Sequence, residues 1–367
     1  MTAHAKLSPS GSSRWMTCPG SVHLEATVKD YSGPSTYAAR GTAIHEISER
    51  SLKNGTPLEF FIGRSIEGHT ITQEDADMAQ TYVTFANDTV GTKFFETRVS
   101  LEEAIPDCFG TVDMLAMREG HLIVSDLKTG QGRVDAEENT QLMLYALGAY
   151  FKYNCLYDFK KVTLVIVQPS LDHFDPWETT VERLMQFKDE VIEAYRRIKE
   201  EPTTFVVSNK GCQWCKAIAI CPEHQKIAKA VAAKDFADMR KTDLQEALDL
   251  IPGLKKFIDA VEEMAKGMCL EGDTIPGWKV VDGRKTREWI DEDKVIARFK
   301  QVGREDLMYA EPKLRSPAQM EKAVKGTEID IEDLITFKTG APTLAPESDK
   351  RPAITPGSRA AKDFASV

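Results

Sequence analysis

No stretch of this sequence approaches the ~18 consecutive apolar residues that a membrane-spanning helix needs. Its N-terminus also lacks the hydrophobic segment of a signal peptide. The chain is accordingly expected in the cytoplasm, with no membrane partner. Positive charge is short as well. The 47 Lys and Arg against 57 Asp and Glu leave a net charge of −10, which argues against a general nucleic-acid coat protein. A local basic groove remains open, because the distribution of charge governs steering and binding. Cysteine is scarce and odd in number, seven in 367 residues. In a reducing compartment that points to metal binding and away from a disulfide framework. Internal repeats are lacking. A hydrophobic content of 42% and a charged content of 28% are ordinary for a soluble protein. The length suits one large domain or two smaller ones.

The most informative stretch runs from Phe109 to Tyr145. It reads as two strands, a tight turn and a helix. Glu119-Gly120 fits a two-residue hairpin loop, Gly120 taking positive φ. Arg118 then faces His121, and counting back sets Asp113 opposite Asp126, with Lys128 on the same face two residues on. Opposed carboxylates repel unless a cation sits between them. One reading is an Asp–Lys surface pair on an edge hairpin. The apolar flanks Val112, Leu115, Leu122, Ile123, Val124 and Leu127 favour the other, a divalent metal site whose oxygen ligands suit Mg²⁺ or Mn²⁺.

Around the hairpin, a helix is predicted from about Tyr37 to Lys53, stopped by Asn54-Gly55, with Ile44, Ile47 and Leu52 as its buried stripe. His45 lies mid-helix, where a lone histidine is more often structural. A second helix is predicted over 73–92, a strand over 93–103, and a helix over about 137–152 that puts Gln141 and Tyr145 on one face. KVTLVIVQP (161–169) reads as a strand covered on both sides, and 178–200 as a long helix. Residues 228–270 read as helices broken at Ile251-Pro252-Gly253. Between Lys279 and Lys325, Lys and Arg outnumber Asp and Glu by 12 to 9, with Trp278 and Trp289 nearby. That stretch suits either phosphate contacts or a solvated surface. The Pro/Ser/Ala-rich residues 338–367 are expected to be disordered.

Cys212, Cys215 and Cys221 form C-x2-C-x5-C, and Cys18, like Cys221, precedes a proline. Three thiolates leave a metal centre one ligand short, and Cys18 is the choice for the fourth. A structural zinc site usually presents two close pairs, so one remote cysteine plus three favours a [4Fe–4S] cluster over zinc. Buried free thiols are the bland alternative. Cys108, Cys155 and Cys269 are read as core residues.

These motifs together resemble the PD-(D/E)XK nuclease superfamily in its RecB-like iron–sulfur exonuclease branch, which includes CRISPR-associated RecB-like exonucleases and the AddAB nuclease domain. The family pattern of helix histidine, G-x-x-D, (D/E)-x-K and Q-x-x-x-Y is matched by His45, Gly110 to Asp113, Asp126 to Lys128, and Gln141 with Tyr145. The four cysteines bracket it as in that branch. Asp126 stands where many members have glutamate. The resemblance covers roughly residues 10–225, and segments beyond it are similar to an uncharacterised phage and prophage nuclease family. It implies an α/β, restriction-endonuclease-like core (αβββαβ, a mixed sheet flanked by helices) with added helices and a C-terminal α-rich extension. The implied divisions are a nuclease domain over 1–225, an accessory region over 226–337 and a tail over 338–367. It also implies a Mg²⁺- or Mn²⁺-dependent DNA exonuclease in phage recombination or DNA processing, beside a single-strand-binding or annealing protein. His45, Asp113, Asp126 and the Leu127 carbonyl would hold the metal, Lys128 would orient the attacking water, and Gln141 and Tyr145 would position DNA. A non-catalytic protein that binds DNA ends or acts as a scaffold is the alternative.

Overall fold

The structure is a computed structural model and describes residues 5–29, 36–233, 241–278 and 301. Those up to 278 belong to one compact unit, Met1–Asp282. The expected tail over 338–367, Trp289 and nearly all of the basic stretch lie outside the described residues.

Two short helices, α1 (Ser12–Trp15) and α2 (Pro19–Glu25), precede the long α3 (Thr36–Asn54). Gly55 ends α3 at φ +66, the left-handed conformation that glycine adopts without a Cβ penalty. A two-strand ribbon, β1 (Ser65–Ile66) with β2 (His69–Thr70), leads into α4 (Gln73–Asp88). Thr72 caps α4 reciprocally with Asp75, each side chain taking the other's backbone N–H.

A five-stranded sheet follows in the spatial order β3 (Thr92–Ser100), β4 (Phe109–Arg118), β5 (His121–Leu127), β6 (Lys161–Gln168), β7 (His173–Thr180). All pairs are antiparallel except β5 with β6, which α5 (Thr140–Tyr157) connects as a crossover. Helices cover both faces. On one side α5 and α6 (Val181–Glu200) pack against Leu115, Met117, Leu122, Val124, Leu164 and Ile166. On the other, Ile44 and Ile47 of α3 with Ala79, Tyr82 and Val83 of α4 pack against Met114, Ala116, Val165 and Val167. The last helices, α7 (Pro222–Ala232) and α8 (Lys241–Leu270), form a helical C-terminal part. This mixed α/β sandwich is compatible with a restriction-endonuclease-like fold.

The hairpin register is as expected: Arg118 pairs with His121, and Gly120 takes φ +72. β6 is buried along seven of its eight residues. Four expectations need correction. β7 was not anticipated. It is an edge strand alternating half-buried and exposed residues, and its inward row carries His173, Asp175, Trp177 and Thr179, so no apolar alternation marks it. Pro176 is tolerated at that edge. α5 starts at Thr140, because the Asn139 side chain accepts the backbone N–H groups of Gln141 and Leu142, and it runs on to Tyr157. That extension leaves Cys155 exposed on the outer face, so it is not a core residue, while Cys269 is half-buried. Finally, α8 is not broken at Pro252. An interior proline costs a helix roughly 3 kcal/mol, and the packing of α8 on α7 and on the 3-10 turn Ile218–Ile220 outweighs it.

Candidate functional site

The end of the sheet where β4 begins and β5 runs out gathers the chemistry-bearing side chains. The last pair of the β4–β5 ladder is Met114 with Ser125, and the next position along brings Asp113 and Asp126 together. Asp113 Oδ2 accepts the Leu127 N–H at 2.6 Å. Its other oxygen lies 3.5 Å from His45 Nδ1, offered by α3. Asp126 is buried, its Oδ2 is 2.8 Å from Lys128 Nζ, and its Oδ1 accepts a hydrogen bond from Gln141 Nε2 at 3.0 Å. Gln141 also accepts from Lys128 Nζ at 3.0 Å and donates to the Tyr145 hydroxyl at 3.2 Å. The amide thus fixes both partners of the Asp126–Lys128 pair from the first turn of α5. The structure therefore joins His45, Asp113, Leu127, Asp126, Lys128, Gln141 and Tyr145 at one place.

Gly110 has a steric reason to be glycine. A Cβ there would stand 2.9 Å from the Tyr145 ring and 3.0 Å from Pro9. The close approach lets the N-terminal segment lie against β4. Ser12 completes that docking through a 2.6 Å hydroxyl contact with Thr140.

Glu96 was missed. It sits on β3 with φ +47, and His45, Glu96 and Asp113 offer ligand atoms within 4.8 Å of one another. Asp126 is outside that close group. The signal available was a lone acidic residue in the strand-like segment KFFETRVS, directly after Phe94 and Phe95.

Electrostatics sort the acidic groups. Burial pushes Glu96 up, and the Asp113 charge adds to it, to about 7. Burial works against the charged form of His45, but Asp113 outweighs it and raises the imidazole to about 9. Asp113 is lowered: burial opposes ionisation, and the charge and hydrogen bond of His45 overcome it. Asp126 is raised by burial despite Lys128. A dense negative site that keeps protons near neutral pH fits a divalent cation, which would replace those protons. A second group, Asp135, His173 and Asp175, also meets the 4.8 Å spacing, but His173 is bonded to the Val134 carbonyl and Asp175 to the Ala136 N–H.

The four singled-out cysteines line one small cavity of about 20 Å³. Two of the sulfurs accept a backbone N–H, Cys18 from Val206 and Cys212 from Ser208, both at 3.4 Å. Cys18 and Cys221 occupy the N-cap positions of α2 and α7, each with proline at the first helical position. Burial raises Cys215 to about 12 and also raises Cys221. No cysteine belongs to a group of three ligand atoms within 4.8 Å among the described residues. The sulfurs are therefore not drawn to the spacing that a single tetrahedral zinc ion imposes.

A family model described as "Protein of unknown function (DUF2800)" matches residues 4–352. The chain belongs to that family. Among solved structures, one titled "Crystal structure of SSO0001" is similar over 60% of this chain and 88% of that one, at 12% identity and a TM-score of 0.29. A likeness of that size carries no argument about activity. No helix among the described residues is long and apolar enough to cross a membrane.

Proposed function

We propose that this protein is a divalent-metal-dependent nuclease that hydrolyses DNA phosphodiester bonds. The observation that carries the reading is the convergence of His45, Glu96, Asp113, Asp126 and Lys128 at one end of the sheet. His45, Glu96, Asp113 and Asp126 would hold Mg²⁺ or Mn²⁺, the Leu127 carbonyl being the expected backbone ligand. When bound, the ion supplies Lewis-acid polarisation of a phosphoryl oxygen and activation of water. Lys128, kept charged by Asp126 and aimed by Gln141, stabilises negative charge that develops at the phosphate and orients the attacking water. Asp113 binds the Leu127 N–H and faces His45, which fixes the ligand geometry without a substrate. Tyr145, raised by burial and near Asp126, stays a neutral hydroxyl that supports Gln141 and the DNA strand. Action from DNA ends, alongside a single-strand-binding or annealing protein in phage recombination, is the expected setting.

The four cysteines are proposed to hold one [4Fe–4S] cluster with a structural role. Four cysteines lining one cavity, two of which accept backbone N–H bonds, support it. The cluster would join segments nearly 200 residues apart, stabilising the fold by loop closure.

End-labelled linear and closed circular DNA incubated with Mn²⁺ test the activity. Cleavage of the linear form is expected, lost in Asp126→Asn and Lys128→Ala proteins that remain folded. Digestion that survives EDTA would end this reading. Cys18→Ser should lose iron and stability together, and Cys155→Ser neither.

A further inference from the structure

Two polar side chains stand out beside the cysteine cavity. His224 is 1% exposed, and neither ring nitrogen has a hydrogen-bond partner among the described residues. Arg14 Nε is likewise buried without one, although Nη2 of that guanidinium pairs with Glu25 at 2.9 Å and Nη1 donates to the Trp214 carbonyl at 3.5 Å. These are the only buried side-chain nitrogens left unpaired among the described residues. Both residues line the cavity that holds the four cysteines. Leaving a buried donor unsatisfied costs about 1–3 kcal/mol, so their shared location calls for a hydrogen-bond acceptor inside that cavity.

The surroundings hold His224 in place. Its ring lies parallel to Phe257 of α8, with centroids 6.2 Å apart. It also borders a larger cavity of about 320 Å³, which Lys256 and Asp249 help to line. Lys256 itself is committed to the Asn209 carbonyl at 3.1 Å. The histidine is therefore fixed by packing, and it borders both cavities with neither ring nitrogen paired. A bare zinc ion adds no acceptor beyond the thiolates. A cluster with inorganic sulfides adds several, and it becomes more negative on reduction.

We propose that His224 and Arg14 donate hydrogen bonds to the sulfur atoms of the centre held by Cys18, Cys212, Cys215 and Cys221, and that His224 thereby sets how readily that centre accepts an electron. The proposal rests on the iron–sulfur reading above. Donors aimed at sulfur favour the more negative, reduced form and so raise the reduction potential. Neither residue is a ligand; both act through the sulfurs.

The test uses the full chain purified without oxygen, as wild type, His224→Phe and His224→Gln. Phenylalanine keeps the ring and the Phe257 contact but removes the donor, and glutamine keeps an N–H. Iron and acid-labile sulfide are counted first, and midpoint potentials are then measured by dithionite titration. With equal iron in all three, His224→Phe should show a reduction equilibrium about tenfold less favourable, a downward shift of about 59 mV for one electron. His224→Gln should recover most of it. Equal iron with an unchanged potential in His224→Phe overturns the proposal and leaves the cluster standing. Stoichiometric zinc without sulfide overturns the cluster reading and this inference with it. Should His224→Phe fail to load iron, hyperfine spectroscopy on reduced wild-type protein with ¹⁵N-labelled histidine decides. A histidine N–H coupled to the cluster supports the proposal, and its absence rejects it.

Discussion

Metal binding at the sheet end should expel protons in a stepwise pattern set by Glu96 and His45. In the metal-free protein Glu96 moves from 4.5 to about 7, and His45 from 6.5 to about 9. Holding a carboxyl at about 7 corresponds to on the order of 3 kcal/mol against its ionisation. Both groups must lose their proton to act as ligands. The sign follows directly. Below about pH 7 an ion displaces a proton from each, so affinity should climb about a hundredfold per pH unit. Between about 7 and 9 only the His45 proton remains, and the slope should fall to about tenfold per unit. Above that, affinity should level off. At pH 6, one pH unit below the Glu96 value and three below that of His45, the two protons together cost about 5 kcal/mol of binding.

The assay is calorimetric titration of Mn²⁺ in paired buffers of different ionisation heat, which counts protons released per ion. Wild type should release about two at pH 6 and about one at pH 8. Glu96→Gln should release about one at both pH values, and His45→Gln about one at pH 6 and none at pH 8. Wild-type binding with no proton release at either pH would refute the reasoning, because neither group would then be a ligand.

Gln141→Ala removes contacts to Lys128, Asp126 and Tyr145; with hydrogen bonds to charged groups worth about 1.5–3 kcal/mol, turnover at saturating Mn²⁺ should drop at least about tenfold, with metal affinity nearly unchanged. Asp75 is fully buried among Arg40, His69 and Thr72, and although burial opposes its ionisation these partners lower it from 3.8 to about 2. Its folded value being depressed, it should contribute about 2 kcal/mol above pH ~4 that is lost as pH falls toward ~2; urea unfolding at pH 6 and pH 3 should show the loss, and Asp75→Asn should flatten it. At Gly148 a Cβ would meet that of Val99 at 2.9 Å and the Ser100 carbonyl at 3.1 Å, so Gly148→Ala should destabilise by about 1–3 kcal/mol. Gly130→Ala, which meets nothing within 4 Å, should leave the melting temperature nearly unchanged.

The legible parts of this chain were those where a local rule decides the outcome. A two-residue loop with glycine at its second position fixes hairpin register, and register alone brought Asp113, Asp126 and Lys128 together. The i, i+4 spacing of Gln141 and Tyr145 needed only the helix, whichever residue began it. The illegible parts were decided by tertiary packing. β7 exists because β6 offers it a partner, not because HFDPWETT alternates apolar with polar residues. α8 survives its proline because it packs on α7 and on the 3-10 turn Ile218–Ile220, which outweighs what propensity alone would impose. Cys155 falls inside a periodic apolar segment and so reads as core, but burial depends on which face of a longer helix it occupies.

Glu96 escaped for a different reason, and that reason ties the fold to the site. Strict alternation along β3 and β4 would put Phe95 and Val99 on one face, and likewise Met114 and Val112. In the structure Phe95 and Met114 pack on the α3–α4 side, whereas Val99 and Val112 belong to the core under α5. The two strands reverse their faces together at Glu96 and Asp113 while keeping register, since Phe95 pairs with Met114 and Thr97 with Val112. No residue is inserted, so this is not a bulge. The reversal rests on Glu96 at φ +47, a conformation that costs a non-glycine residue on the order of 1 kcal/mol or more. Glycine would relieve that strain, yet glutamate stands there and delivers its carboxylate to His45 and Asp113. Backbone strain and the cost of a carboxyl held near neutrality fall on the same residue, and a bound cation recovers only the second. The deviation from strand geometry and the candidate metal centre are therefore one feature, invisible to periodicity because periodicity is what it breaks.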